Sequence, residues 1–441
     1  MSYESLKNDS DIRWSELNSG NVPWVRVSDA MCCGSSLGSE EIIEILNDYS
    51  KKNNIQMNID TVGCHGICYA GTIIDVLIKD KPRIFWGYVT TENVEIIIDS
   101  YLNKKKIIKN NLLGSLGDQA IKDVPKFSDL PGIQYQKRIA LRNSGNIAFN
   151  DIHQYIANGG FSGLNKALSS MSSEEVINEV KNSGLRGRGG AAFPTGVKWS
   201  FMANSKGKKY ILCNCEEGDP GAFNDKGILE SDPFTLIEGM IIAGFATNST
   251  NGYVFIRHGH EGPIIRTEEA IKQAYENGLL GENILDSGFS FDIEVSLTGD
   301  SYVAGEETAL MESIEGKSSR PRSRPPFPAA YGVWGRPSTI NNVKSLSYVA
   351  EIIRNGSDWF KSTGTESSSG TAIVCLSGDI QNPGMYEVEM GLSIGDVIEK
   401  LGGGIPNGRK LKMLQTGGPL GGVLGSDSLK VKIDFDEMAK A

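Results

Sequence analysis

Residues 183–199 read SGLRGRGGAAFPTGVKW, and the reading of this stretch decides the fold. Five glycines fall at 184, 187, 189, 190 and 196, with Arg186, Arg188 and Lys198 among them. Glycine lets backbone N–H groups approach an anion closely and form a nest around it, and nearby cations add charge. Pro194 and Thr195 mark a turn or helix start just after the glycines. The chemistry is that of a phosphate cradle. No Gly-Lys-Ser/Thr follows, so it is not a Walker loop, and the G-x-G-x-x-G spacing of a dinucleotide fingerprint is missing. Taken alone, such a loop is a structural turn about as often as a phosphate site, and the sequence on either side has to decide.

Downstream, residues 210–213 (YILC) form a short apolar run of the kind buried in a parallel strand. The run opens into Asn214-Cys215-Glu216-Glu217-Gly218-Asp219-Pro220-Gly221. Ligands of open α/β sheets sit beyond the carboxyl ends of strands. Three acids and an amide crowded at such a place are costly unless polar groups meet them. Upstream, residues 151–182 show helical apolar spacing, with Ser172-Ser173-Glu174-Glu175 as a helix start and Gly184 as a stop. The expected fold class is α/β, with a Rossmann-like central domain at 132–365.

The chain has 441 residues, long enough for two to four domains. Its net charge of −10 argues against nucleic acid and anionic membrane surfaces as main partners. No stretch approaches the ~20 apolar residues of a membrane span, and the polar start MSYESLKNDSD does not read as a signal peptide. A cytoplasmic protein is expected. Four of the seven cysteines, Cys32, Cys33, Cys64 and Cys68, fall within the first 70 residues, which favours metal or cluster ligation over a disulfide framework.

Residues 1–102 read as a small thioredoxin-like domain. Strands are expected at 24–30, 55–62, 72–78 and 82–89, and helices near 39–51 and 91–102. Cys64-x3-Cys68 lies in a Gly-rich loop, where thiolates and backbone N–H donors suit an iron–sulfur centre. His65 reads as a solvent-facing loop residue. Residues 103–131, Lys-rich and then polar, read as a linker. Residues 366–441 alternate strand, helix and strand.

Several motifs now arrive together. Residues 187–199 (GRGGAAFPTGVKW), 213–223 (CNCEEGDPGAF), 305–310 (GEETAL), 325–328 (PPFP) and 338–343 (STINNV) resemble, in the same order, the NADH-binding flavoprotein subunit of respiratory complex I. They are similar also to the β subunit of NAD-linked iron hydrogenases and formate dehydrogenases. The likeness runs from about residue 133 to 422. It implies FMN held by Gly187, Arg188, Gly189, Lys198, Asn214, Glu216, Tyr302, Glu306, Asn341 and Asn342. It implies NADH against Gly190, Phe193, Asp219, Tyr302, Glu307 and Phe327, with Glu307 repelling a 2′-phosphate. Core packing is the alternative for Phe193 and Phe327, and an ordinary first helical turn for Glu306 and Glu307.

The resemblance further implies hydride transfer between NADH and FMN, then single-electron transfer to iron–sulfur subunits of a larger hydrogenase, formate dehydrogenase or similar complex. No side-chain acid or base is needed. It implies a small β-grasp domain at the C-terminus. The N-terminal part resembles the thioredoxin-like [2Fe–2S] domains of NAD-linked hydrogenases, whose pattern is C-x4-C and then C-x3-C. Here Cys32 is present, but the position five residues on is Leu37, with Cys33 as an extra thiol. A [2Fe–2S] cluster at Cys32, Cys33, Cys64 and Cys68 stands beside a degenerate domain kept for packing. Other departures are Ala304 for the family's cysteine, Lys344-Ser345 after Asn341-Asn342-Val343, and Arg257-His258-Gly259-His260-Glu261, whose histidines alternate as if on a strand. Cys213 and Cys215 read as strand residues. The family's C-x2-C-x2-C segment for a [4Fe–4S] cluster is not found before Ala441, so that acceptor is expected to be missing. The competing reading is a non-catalytic scaffold that binds nucleotide or a partner without turnover.

Overall fold

The computed structural model describes residues 2–30, 35–298, 301–418 and 421–441. Helix α1 (Tyr3–Asn18) opens the chain, followed by β1 (Trp24–Ser28), α2 (Ser39–Asn53), β2 (Asn58–Val62), β3 (Ile74–Leu77), β4 (Arg83–Trp86), α3 (Val94–Leu102) and β5 (Leu112–Leu116). The five strands form one sheet in the order β2-β1-β3-β4-β5, parallel at β1–β2 and antiparallel elsewhere. Alternation along the strands turns Val25, Val27, Ile74, Val76, Ile84 and Trp86 to one face, where Ile42, Leu46 and Tyr49 of α2 pack at helical spacing.

Two boundaries differ from the sequence reading. Residues 103–131 are not simply a linker, because β5 pairs along β4 and completes the first sheet. The N-terminal helix belongs with the central domain. Tyr3 and Leu6 join the large core, and the Tyr3 hydroxyl donates to the Gly160 carbonyl at 3.1 Å. Polar spacing along α1 hid this, since few of its positions are apolar.

The central domain carries α4 (Ile152–Ala157), α5 (Ser162–Ser170) and α6 (Ser173–Asn182). The expected start of α6 is a full capping box: Ser172 accepts from the Glu175 N–H, and Glu175 reaches back to the Ser172 N–H. Then come α7 (Thr195–Ala203), β6 (Tyr210–Cys215), α8 (Asn224–Ser231), α9 (Pro233–Thr247), β7 (Asn251–Arg257), α10 (Glu261–Glu276), β8 (Asp292–Thr298), α11 (Glu307–Ile314) and β9 (Ser338–Asn342). The four strands are all parallel, in the order β8-β7-β6-β9. Helix α9 is apolar on nearly every side and buried accordingly, the spine of the core.

The C-terminal unit has two antiparallel hairpins, β10 (Thr371–Leu376) with β11 (Gly384–Glu389) and β12 (Met413–Gln415) with β13 (Val423–Gly425), with the expected helical segment at 394–401 between them, followed by the one-turn helix α12 (Phe435–Met438). It is fastened to the central domain by Glu387, whose buried carboxylate accepts from the N–H groups of Ile139, Ala140 and Leu141 at 2.8 to 3.1 Å.

Candidate functional site

The glycine loop leaves α6 and enters α7 as a closed excursion. Gly187 N–H donates to the Phe193 carbonyl at 2.9 Å, and Thr195 N–H to that of Leu185 at 2.9 Å. Its tip is exposed at Gly189 and Gly190, and Gly190 has φ +112°, a conformation side chains disfavour. The two arginines do not face outward as an anion cradle would want. Arg188 directs its guanidinium to the carbonyls of Thr371 at 3.1 Å, Ser369 at 2.7 Å and Arg186 at 2.7 Å. Burial draws it below the usual guanidinium range. Arg186 pairs with Asp436 at 3.1 Å. Both guanidinium groups lie over the Phe435 ring, at 4.8 and 5.2 Å. These arginines tie the loop to the C-terminal unit, and the Arg188 N–H itself donates to the Ser345 hydroxyl at 2.9 Å.

Lys198 stays beside the site. Its ammonium donates to the Ile340 carbonyl at 2.7 Å and lies 3.3 Å from Glu307. Glu307 also meets Arg324 at 2.5 Å. The carboxylate expected to repel a 2′-phosphate is therefore flanked by two cations. Glu306 is the N-cap of α11, accepting from the Thr308 and Ala309 N–H groups at 2.9 Å each, and its outer oxygen lies 3.5 Å from Arg324.

The parallel register sets Asn214 of β6 beside Asn342 of β9, and Cys213 beside Asn341. Asn214 donates to the Gly305 carbonyl at 2.8 Å and accepts from the Glu216 N–H at 3.0 Å. Asn341 accepts from the Trp199 indole N–H at 3.1 Å. Asn342 donates to Asp225 at 2.6 Å. Lys344 donates to the same carboxyl at 2.6 Å and to the Asn224 side chain at 2.8 Å. Burial works against the Lys344 charge, but Asp225 and Glu217 more than offset it and hold the ammonium above its ordinary value.

The crowded acids each find a partner. Glu217 caps α8, accepting from the N–H groups of Asn224, Asp225 and Lys226 at 2.8 to 3.0 Å. Glu216 is raised by burial and held back by Arg257, 2.5 Å away. Asp219 accepts from the Tyr302 hydroxyl at 2.6 Å. Glycines let these segments close on one another. A Cβ at Gly189 would lie 3.0 Å from the Asn342 Cβ, one at Gly305 would lie 2.9 Å from Glu216 Oε2, and one at Gly218 would crowd Arg257 at 2.8 Å and the Tyr302 ring at 3.2 Å.

Phe193 and Phe327 are 45% and 61% exposed, so they do not serve as core. Phe201, further along α7, joins them: its ring lies 6.4 Å from that of Phe193 and is 56% exposed. Sequence reasoning missed Phe201, although its spacing of eight from Phe193 across a helix start was readable. It also missed Asp225, for which there was no local signal, and read Arg257 and Lys344 only as departures from the family pattern.

Cys32 and Cys33 lie outside the described residues. Cys64 and Cys68 flank a loop wedged between the other two units. The Gly66 carbonyl accepts from the Met385 N–H of β11 at 2.9 Å, and Gly63 abuts Ser231 at the end of α8. Gly66 N–H points at Cys64 Sγ, 3.2 Å away. Among the described residues, no three His, Cys, Asp or Glu side chains are arranged to hold a metal ion. His65 is not solvent-facing: it is 2% exposed between Phe85 and Phe127, and burial pulls it down to about 3. His258 and His260 are not on a strand, since β7 ends at Arg257 and α10 starts at Glu261. Cys213 and Cys215 are buried strand residues, as expected.

Residues 180–351 match the family described as the Nuo51 FMN-binding domain, and residues 373–424 match the SLBB domain. The chain is 49% identical over 305 residues to the NADP-reducing hydrogenase subunit HndC of Solidesulfovibrio fructosivorans, over 69% of this chain and 62% of that protein. It is 45% identical over 288 residues to the NADH-quinone oxidoreductase F 2 subunit of Rhizobium meliloti (strain 1021), over 65% and 68%. It is 39% identical over 292 residues to the NADH-quinone oxidoreductase F subunit of Escherichia coli (strain K12), over 66% of each. The chain thus spans roughly two thirds of the length of the curated relatives it matches, between 62% and 68%. Among solved structures, that of the NAD+-reducing [NiFe]-hydrogenase in the H2-reduced state overlays with a TM-score of 0.60 at 22% identity, covering 99% of this chain and 72% of that one, a likeness of fold. The chain belongs to the family of the NADH-quinone oxidoreductase F subunits and their hydrogenase counterparts, built on the Nuo51 FMN-binding domain.

Proposed function

We propose that the chain is an NADH-oxidising, or NAD-reducing, FMN flavoprotein subunit of a larger redox complex. The observation that carries this reading is the convergence of the loop at 187–190, the strand ends at Asn214–Glu216 and Asn341–Asn342, and the Tyr302–Glu307 turn, which pack closely at Gly189, Gly218 and Gly305 where a side chain would collide. FMN, when bound, supplies hydride acceptance from NADH and release of electrons one at a time. The chain's residues bind and orient. Gly189 would offer its backbone N–H and Gly187 and Arg188 close approach to FMN, with Lys198 as the point charge. Asn214, Glu216, Tyr302, Glu306, Asn341 and Asn342 would complete its polar surround. Gly190, Phe193, Asp219, Tyr302, Glu307 and Phe327 would line the dinucleotide side, and the exposed Phe201 extends that aromatic surface. No side chain is required to transfer a proton.

In this reading Cys32, Cys33, Cys64 and Cys68 would hold a [2Fe–2S] cluster. Two observations support this: the Gly66 N–H is aimed at Cys64 Sγ, and Arg138 donates to the carbonyl of His65 beside it. Helix α8 links the two centres. Asp225 at its start touches Asn342, and Ser231 at its end touches Gly63. Six steps at 1.5 Å each make the span about 9 Å. In this reading the reduced flavin would supply electrons to iron–sulfur subunits of a hydrogenase, formate dehydrogenase or similar complex. No described helix is long and apolar enough to cross a membrane. We place the protein in the cytoplasm, where its NADH would be.

Gly189→Val tests the cradle, because the branched side chain would fill the space against Asn342. FMN affinity measured by fluorescence quenching should fall at least about tenfold, or ~1.4 kcal/mol, with the circular dichroism spectrum unchanged. A variant that folds and binds FMN like the parent would move the cradle elsewhere.

A further inference from the structure

The N-terminal sheet has a second face that flavin chemistry does not use. Alternation along β1, β3 and β4 sends Trp24, Arg26, Asp75 and Arg83 to the side opposite the apolar core. That side is covered by α1 and by residues 138–158. Trp14 meets Trp24 edge-on at 5.5 Å, Gln154 donates to Asp60 at 2.9 Å, and Arg26 donates to the Asn146 carbonyl. Arg26 and Arg83 are 4% and 6% exposed.

Buried guanidinium groups need counter-charge. Asp75 is shared by Arg26 and Arg83, and Glu351 is shared by Arg142 and Arg354. Asp75 thus serves two nearly fully buried guanidinium groups, whereas Arg354 is 29% exposed and partly solvated. The next acid, Asp60, is bound by the Trp24 indole and Gln154, and burial pushes its carboxyl up, toward the neutral form. Asp232 and Glu238, beyond Arg142, also favour its charged form, and Asp232 is hydrogen-bonded to Asn143 and the start of α9 as well. Arg142 Nε lies 2.7 Å from Glu351, but out of line, and neither its Nε nor its Nη2 has an aligned acceptor among the described residues.

Between the two layers lies a cavity of about 220 Å³, lined by Arg26, Arg83 and Arg142 and by the amides of Asn18, Asn146 and Asn158, with no carboxylate among the described residues of its wall. We propose that this interdomain cavity binds a small doubly charged oxyanion, phosphate or the phosphate group of a phosphomonoester. Guanidinium forks match such oxygens in pairs, and the Asn side chains add neutral donors. At ~30 Å³ per water the space equals roughly seven waters, enough for phosphate with a small substituent and too little for a dinucleotide. The bound anion would offset the second guanidinium charge on Asp75 and fasten the thioredoxin-like domain to the flavin domain.

The test titrates the FMN-loaded full chain with inorganic phosphate at fixed ionic strength, by calorimetry and thermal midpoint, with glycerol phosphate in parallel and chloride as the control. One saturable site, a raised midpoint and no effect of chloride are expected. Tighter binding of glycerol phosphate would identify the ligand as an ester, and tighter binding of inorganic phosphate as the free ion. Arg83→Gln should weaken phosphate at least about tenfold and leave FMN content unchanged. Phosphate bound equally well by that variant would lie at the nucleotide site, and no saturable binding to the parent would equally overturn the proposal. Should the variant not fold, anomalous scattering from arsenate soaked into parent crystals decides: a peak among the three arginines supports the site, and its absence there refutes it.

Discussion

Replacing Arg257 by Met would leave the Glu216 carboxylate facing the proposed flavin centre without its cation. The side chain of Glu216 is 4% exposed and that of Arg257 23%, with 2.5 Å between their charged atoms. Burial already raises Glu216, and Arg257 is the main influence opposing it. Removing one partner of a fully buried pair costs about 3–5 kcal/mol. Water reaches part of Arg257, so about 2–3 kcal/mol is expected here. Glu216→Gln removes the charge that needs a partner, so the double variant should recover much of the loss. A double-mutant cycle read by urea unfolding at neutral pH should give a coupling of about 1–3 kcal/mol. FMN affinity should follow the same pattern, since both side chains border Gly218. Additivity within about 0.5 kcal/mol would refute the idea that Arg257 holds this carboxylate in place.

Asp232 is fully buried, and burial pushes its carboxyl up to about 6 from 3.8. A raised acid stabilises the fold below its unfolded value, and that stability is lost as pH rises through the folded one. Asp232→Asn should therefore gain on the parent by roughly 2–3 kcal/mol between about pH 4 and pH 6, and a gap that does not change with pH would contradict this. A Cβ at Gly63 would overlap Ser231, so Gly63→Ala should cost about 1–3 kcal/mol in chemical denaturation; an unchanged midpoint would mean that the cysteine loop does not rest on α8. Phe201→Ala should weaken NADH by about 1 kcal/mol, near fivefold, and leave FMN binding alone, as read by a coenzyme titration of the flavin-loaded protein; unchanged NADH affinity would remove Phe201 from the dinucleotide surface.

What the sequence made legible was local and periodic. The capping box at Ser172 and Glu175, the glycine stop at 184 and the apolar run at 210–213 each follow from short-range rules, and each lies where expected. The meeting of Asn214 with Asn342 was inferable only through the motif order, because a parallel register brings together residues 128 apart. Side-chain direction was the weakest inference. Arg186 and Arg188 read as cations for an anion, yet carbonyls of a later domain claim them, and nothing near residue 186 announces residues 369–371. His65 looked exposed because it sits among glycines, but the aromatic wall that buries it comes from Phe85 and Phe127. Helix α1 and β5 were missed for a related reason: their partners are remote, and their own hydrophobic patterns are thin.

The central claim is hydride exchange between NADH and bound FMN. An anaerobic absorption spectrum of the purified chain, with flavin and iron content, taken before and after NADH, tests it most directly. The account predicts a flavin band that bleaches on addition of NADH, with about two irons per chain if the cysteine loop carries its cluster. A chain without flavin, or with a flavin band indifferent to NADH, would contradict the account and leave a nucleotide-binding scaffold.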